Sequence, residues 1–206
     1  ILNHSTKKFN FHETKPNSLA INFKEHKSNI FIKNLEIASH IANDIFNDSN
    51  FPDLNGDLLI NCLESFKMPP GRGEIFSLNK FKIIDDSYNA NPESVKAALD
   101  HLSGFKECRK FFVFGDMKEL GDNEEIFHKK IGQYAVEKAD ILFTVGKLAK
   151  NAQSNSNNFA LSLHFNDNFS LLEKLNELLT DGDIVLIKGS RSMQLDQLIN
   201  ELKNVK

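Results

Sequence analysis

Apolar and polar positions alternate in two different textures along the chain. Residues 6–24 contain two period-two stretches, KKFNFH and SLAINFK, parted by Lys15-Pro16-Asn17. Period two places successive side chains on opposite faces, so this part reads as a hairpin or two neighbouring strands. From Ile30 onward Leu35, Ile37, Ala38, Ile41, Ala42 and Ile45 approximate helical spacing, and a second short helix is expected over about 54–66. KMPPGRGE then breaks the rhythm, because prolines and glycines so close together end regular structure. The expected division is a first unit over 1–70 and a second over 71–206.

The second unit is regular. Strands are expected at 81–85, 110–114, 141–145, 160–165 and 184–188, alternating with helices at 93–103, 124–138, 169–179 and 192–203. Stretches such as KFFVF and DIVLI are continuously apolar, as strands are when helices cover both faces of a parallel sheet. The fold class is therefore α/β: a doubly wound, mostly parallel, Rossmann-like sheet, whose ligands sit at the carboxyl ends of the strands. The polar tract 149–159, AKNAQSNSNNF, reads as a surface loop without chemistry. No internal repeat is found.

Composition acts mainly by exclusion. With 40% hydrophobic and 26% charged residues, the 206-residue chain resembles an average globular protein, and no apolar run reaches the length of a membrane span. A net charge of −3 without basic blocks argues against a nucleic-acid surface. Cys62 and Cys108 lack metal-type spacing, and the cytoplasm and a monomeric state are expected. The chain begins Ile-Leu-Asn, with neither methionine nor signal pattern, and reads as a fragment.

Candidate chemistry gathers after the strands. The first is followed by DDSYNANP, the second by GDMKELGD, the third by VGK and the last by KGSRS. Asp85 and Asp86 point to opposite faces of a strand, so at most one enters a site and the other caps a loop or meets solvent. Asn91-Pro92 suits a helix start, with Asn91 as cap and Pro92 in the first turn, and a ligand role is the alternative. Arg72, between Gly71 and Gly73, is either a solvated hinge residue or a guanidinium offered to phosphate, and the two glycines are expected to bend freely outside the core. His128 reads as a helix-surface or internally satisfied residue more readily than as a catalyst, and Cys62 as an apolar filler. The chain contains neither G-x-x-x-x-G-K-S/T nor G-x-G-x-x-G, so an autonomous nucleotide site is not supported.

Taken in order, PGRGE, IIDDSYNANPESVKAAL, FVFGDMKELGDNEEIFH, VGK and VLIKGSRSM resemble the C-terminal part of the Mur ligase family. Within it they are similar to the branch that joins D-alanyl-D-alanine to UDP-N-acetylmuramoyl-tripeptide. The resemblance covers about 68–200 and implies an ATP-dependent amide ligase of peptidoglycan precursor synthesis. It implies that 1–70 is the tail of the central ATP-binding domain, whose phosphate loop and Mg²⁺ ligands lie in an absent part, leaving the fragment inactive alone. It further implies that Asp86 contacts the ATP ribose side, that Tyr88, Asn89 and Asn91 shape the adenine edge, and that Arg72 reaches the terminal phosphate as the catalytic contact. Asp116, Glu119, Lys188, Ser190 and Arg191 are implied to face the dipeptide. Other readings are a folate-polyglutamating ligase, whose corresponding loop is a shorter D-x-A-H-N-P, and a non-catalytic nucleotide-binding module.

Overall fold

A computed structural model describes residues 69–78 and 80–204, together with four positions of a helix at 34, 37, 38 and 41. The hairpin expected over 6–24, the helix expected over 54–66, Cys62 and nearly all of the first unit lie outside the described residues. Six strands form one sheet: β1 Glu74–Leu78, β2 Phe81–Asp86, β3 Lys110–Gly115, β4 Ile141–Val145, β5 Leu161–Phe165 and β6 Ile184–Lys188. Their order is β1-β2-β6-β3-β4-β5. β1 pairs antiparallel with β2, and every other pairing is parallel. Four α-helices complete the unit: α1 Pro92–Ser103, α2 Glu124–Ala135, α3 Asn168–Leu178 and α4 Leu195–Asn204.

The apolar strands are sandwiched as their composition requires. Ile84, Phe112, Phe114, Leu142 and Leu186 pack with Val95, Leu99 and Leu102 of α1 and Ile131 and Ala135 of α2. On the other face, Ile83, Phe111, Val113, Phe143 and Ile187 meet Leu171 and Leu175 of α3 and Leu195, Leu198 and Ile199 of α4. Alternate residues of the four inner strands, β2, β6, β3 and β4, thus feed two separate cores, which is why those strands are largely apolar on both faces. At the amino end of the sheet, Arg109 grips the buried Asp183 through two hydrogen bonds, Nε to Oδ1 at 2.8 Å and Nη2 to Oδ2 at 2.6 Å.

Two expectations are corrected. The edge strand β1 was absent from the pattern, because Glu74–Leu78 follows the Pro-Gly boundary directly and its half-buried side chains look like linker. The tract 149–159 is not a plain surface loop: Ala149–Asn158 forms 3-10 turns with a kink at Asn155. Ala149 and Ala152, three apart, are fully buried against the α2 side of the sheet. Gln153 is anchored as well, donating to Thr144 Oγ1 and the Leu163 carbonyl and accepting from Ser162 Oγ at 2.5 Å.

Close approach of this segment to α2 depends on Gly132. A Cβ there would run into the Ala152 carbonyl oxygen and lie 2.7 Å from both the carbonyl carbon and Cα of Ala152. Alanine would gain about 1 kcal/mol of helix propensity over glycine, but a backbone overlap cannot be relieved by turning a side chain. Gly132→Ala is therefore expected to destabilise the unit by a net ~1–3 kcal/mol, the usual cost of overpacking. Urea denaturation of the two proteins measures this, and an unchanged or higher midpoint would contradict the packing described.

Candidate functional site

The chain leaves β2 into α1 on one face and leaves β6 into α4 on the other, although β2 and β6 are neighbours. Diverging connections open a crevice beyond the carboxyl ends of the two strands, where doubly wound sheets bind ligands. A cavity of about 330 Å³ occupies it. Arg72, Asp86, Tyr88, Asn89, Asn91 and Lys188 all line it, with Gly71 and Gly73 on the same wall. One stripe of α1, Ser94, Ala97, Ala98 and His101, forms the opposite side. That stripe has helical i, i+3, i+4, i+7 spacing, and sequence reasoning did not single it out.

The carboxylates of β2 separate as strand geometry demands. Asp85 is buried and its Oδ1 accepts from the backbone N–H of Ser87 at 3.1 Å and from Ser87 Oγ at 2.6 Å, shaping the turn. Asp86 lines the cavity, and its Oδ2 accepts from Lys188 Nζ at 2.6 Å. The same ammonium donates to the Asn89 carbonyl at 3.0 Å. Asn89 Oδ1 accepts from the Ala90 N–H. Asn91 caps α1 through a reciprocal box with Ser94, Oδ1 accepting from Ser94 N at 2.8 Å and Asn91 N donating to Ser94 Oγ at 3.1 Å. Caps of this kind contribute ~1 kcal/mol. Asn91 therefore caps the helix and borders the cavity at once.

Arg72 stacks its guanidinium on the exposed Tyr88 ring, 4.1 Å from the centroid. The free hinge expected at the flanking glycines is not found. Gly71 is buried with φ +74°, its carbonyl accepts from Tyr88 N at 2.9 Å, and Gly73 N donates to the Asp85 carbonyl at 2.7 Å. A Cβ on Gly71 would stand 3.0 Å from Tyr88 N. Both glycines are stapled to the end of β2, so substitution at Gly71 would damage the wall of the cavity itself.

The remaining implied residues form a second cluster around the ends of β3, β4 and β6. Asp116 is buried, and its Oδ1 accepts from the N–H groups of Leu148 and Ala149 at 2.9 and 2.8 Å. Its Oδ2 meets Lys118 Nζ at 3.0 Å, and its carbonyl accepts from Ser190 N. Ser190 Oγ in turn accepts from Lys118 N at 2.8 Å. Asp116 and Ser190 thus lock three loops together. Glu119 is exposed with φ +64°, and Arg191 is exposed and bonded to Asp196. Lys188 does not join this group but turns to Asp86, a pairing set by the β2–β6 register, in which Asp86 is the partner of Lys188.

His128 completes the lock. Its Nε2 accepts from Met117 N at 2.8 Å, so Nδ1 carries the proton and donates to the Glu124 carbonyl at 2.6 Å. It is the internally satisfied residue of the two alternatives read from the sequence, and it is fully buried.

Residues 71–191 match the family described as Mur ligase, glutamate ligase domain. The match spans more than half of the chain, and the protein belongs to the Mur ligase family. The UDP-N-acetylmuramoyl-tripeptide--D-alanyl-D-alanine ligase of Bacillus subtilis is 40% identical over 128 residues, 58% of this chain and 27% of the relative. The ligase of the same name from Buchnera aphidicola subsp. Baizongia pistaciae is 38% identical over 148 residues, 68% of this chain and 30% of the relative. The MurF ligase of Thermotoga maritima in complex with ADP superposes with a TM-score of 0.62 at 27% identity, covering 70% of this chain and 33% of that one. The chain thus spans between 27% and 33% of the length of these relatives.

Burial pushes the His128 imidazole below its ordinary value of 6.5, against weaker opposing pulls from the Glu124 carbonyl and the charges of Asp116 and Glu124; Lys118 acts in the same direction as burial. Protonation would place an N–H against the Met117 N–H. The folded state therefore prefers neutral His128, so its contribution is complete above pH 6.5 and is lost as pH falls below it. His164 is shifted in the same direction by burial, so a control is needed. Thermal denaturation between pH 7.5 and 5 is expected to show a steeper loss for the native chain than for His128→Gln; parallel curves would remove His128 from the lock.

Proposed function

We propose that this chain is the C-terminal part of an ATP-dependent amide ligase that adds D-alanyl-D-alanine to UDP-N-acetylmuramoyl-tripeptide. It would act in the cytoplasm as a monomer, in the making of peptidoglycan precursors and hence in cell-wall growth, cell shape and division. The observation that carries the reading is the convergence of Arg72, Asp86, Tyr88, Asn89 and Asn91 on one cavity at the switch point, inside the stretch matched to the family. Residues 71–206 would be the C-terminal domain and 1–70 the tail of the central ATP-binding domain.

In the reaction, a peptide carboxylate attacks the γ-phosphorus of ATP and ADP leaves. The amine of the dipeptide then attacks the acyl phosphate, and phosphate leaves. Such chemistry is mostly placement and charge stabilisation. Asp86 would accept from the ribose hydroxyls, while Tyr88, Asn89 and Asn91 border the base. Arg72 would leave the Tyr88 ring to meet charge on the transferred phosphoryl group. That ring contact holds it by only ~0.5–1 kcal/mol at an exposed site. Glu119 and Arg191 would face the dipeptide from loops that Asp116 and Ser190 hold in place. Mg²⁺ would offset phosphate charge, but no cluster of three acidic, histidine or cysteine side chains suited to a metal occurs among the described residues. Its ligands are assigned to the rest of the ligase. No helix among the described residues is long and apolar enough to cross a membrane.

A second reading, a nucleotide-binding module that does not catalyse, draws on the absence of a G-x-x-x-x-G-K-S/T loop from these 206 residues. The two readings part in the complete protein. There, Arg72→Ala is expected to lower kcat about 10²–10³-fold, as loss of a donor to developing charge does. Asp86→Asn, which leaves an acceptor for Lys188, is expected to raise the KM for ATP about 10-fold or more with kcat nearly kept. Steady-state ligation assays decide it: equal, small effects from both would remove the assignment, and no amide product from the native protein would remove the ligase reading. The 206-residue chain by itself is expected to release no phosphate from ATP above the uncatalysed rate, and phosphate release at a ligase's rate would overturn the assignment of the phosphate-binding loop to another part.

A further inference from the structure

Lys188 was grouped with the residues facing the dipeptide, yet it is among the largest fully buried side chains of the unit, its side chain 2% exposed against 21% for Asp86. It stands on the central strand, beside Asp86 in register. Two of its three ammonium donors are committed, one to Asp86 Oδ2 and one to the Asn89 carbonyl. We infer that Lys188 is a positioning residue for nucleotide recognition, clamping the Asp86 carboxylate and the backbone at Asn89 so that Asp86 presents a fixed acceptor to the vicinal hydroxyls of a ribose. The inference rests on the proposed ligase reading and deepens it.

Three physical points carry it. First, a carboxylate that borders a cavity can rotate about its last bond, and one strong charge-assisted hydrogen bond to a buried donor removes that freedom. Two hydroxyls on adjacent ring carbons need acceptors at set positions, so a rotating carboxylate serves them poorly. Second, the same ammonium holds the loop from behind at Asn89, two residues before the cap of α1, which keeps Asn89 and Asn91 on the cavity wall. Third, a bare carboxylate would repel the triphosphate of the same ligand. A buried lysine beside it cancels that charge without offering an exposed cation that would capture phosphate in the wrong place. Both groups that hold Lys188 lie on the nucleotide side of this reading, Asp86 at the end of β2 and the Asn89 carbonyl in the loop that follows it, and neither faces the loops assigned to the dipeptide.

The test uses the complete ligase, with equilibrium binding of ATP and 3′-deoxy-ATP measured by calorimetry alongside ligation assays. The native protein is expected to bind ATP about 10-fold or more tightly than the deoxy analogue, a hydrogen bond to a charged group being at stake. Lys188→Met is expected to shrink that ratio to about 3 or less, and Asp86→Asn to shrink it similarly, with the double variant no worse than the singles because both act on one contact. The KM for D-alanyl-D-alanine at saturating ATP should stay within about 2-fold, since on this reading the lysine makes no dipeptide contact. Lys188→Met that keeps the native ratio would overturn the proposal, as would a raised dipeptide KM with the ratio intact. Should Lys188→Met fail to fold, Asp86→Asn decides alone: if it retains hydroxyl discrimination, Asp86 is not the acceptor and the clamp has no role. Native protein that binds nucleotide with this preference but forms no amide would leave the clamp standing and remove the ligase reading.

Discussion

A lysine at the end of a central strand, covered on both faces, needs a counter-charge, and the only anion in register with it is one strand away. The Lys188–Asp86 pair answers that constraint, and much of the cavity wall between β2 and α1 depends on it. Removing one member of a fully buried pair costs roughly 3–5 kcal/mol, because the other is left uncompensated; with Asp86 partly open to the cavity, the cost here lies below that range. A pair of this kind is weak evidence for stability, since apolar residues of similar volume could fill the same space at no greater cost. Its value lies in position: the parallel register delivers the ammonium to the carboxylate with no loop between them, so the geometry inherits the rigidity of the sheet.

The second half of the rim solves a different problem by similar means. Loops after β3, β4 and β6 carry unpaired backbone N–H groups, and a buried carboxylate is the most economical acceptor for several of them. Asp116 takes two from the loop after β4 and one ammonium from its own loop, while its carbonyl takes the N–H of Ser190. Close approach is possible because the neighbouring positions lack side chains. A Cβ on Gly146 would lie 2.7 Å from the Asp116 carboxyl carbon, and one on Gly189 would lie 3.0 Å from the Gly115 Cα. Gly146 and Gly189 thus serve loop-to-loop packing. The exposed Glu119, held at φ +64° in the same loop, is the side chain this lock leaves free to face outward.

The parallel core was legible because burial on both faces writes itself as unbroken apolar runs: β4 and β6 fall on the expected residues, and α1 begins where Asn91-Pro92 predicts. What escaped were elements with mixed signals. β1 is a half-buried edge strand after a Pro-Gly boundary, and Ala149–Asn158 hides two buried alanines in a polar tract. The site divided in the same way. Residues local to one loop, such as Asp86, Tyr88, Asn89 and Asn91, were found together because sequence proximity is spatial proximity there. The pairing of Lys188 with Asp86 spans 102 positions and follows only from strand order, which no local pattern encodes. Asp116 and Ser190 were seen as polar loop residues, but whether a polar side chain faces a ligand or its own backbone is a question of burial.

Movement of the domain is constrained by the same details. Gly71 and Gly73 are tied by hydrogen bonds to Tyr88 and Asp85 at the end of β2, so Arg72 has an anchored backbone and an exposed side chain stacked on Tyr88. Any rigid-body closure must bend before residue 71, where the exposed Pro69 and Pro70 stiffen the approach. Arg72 would then travel with the sheet as a fixed projection, and only its side-chain torsions would need to change on leaving the Tyr88 ring. The cost of that step is about the cation–π energy of an exposed pair, ~0.5–1 kcal/mol. On the proposed reading a charge-assisted contact to phosphate would return ~1.5–3 kcal/mol, so the parked arrangement would yield readily to a phosphate within reach. The stacked guanidinium and the stapled glycines together keep the cation close to the crevice, and on the proposed reading this would spare a closed state the entropy of finding it.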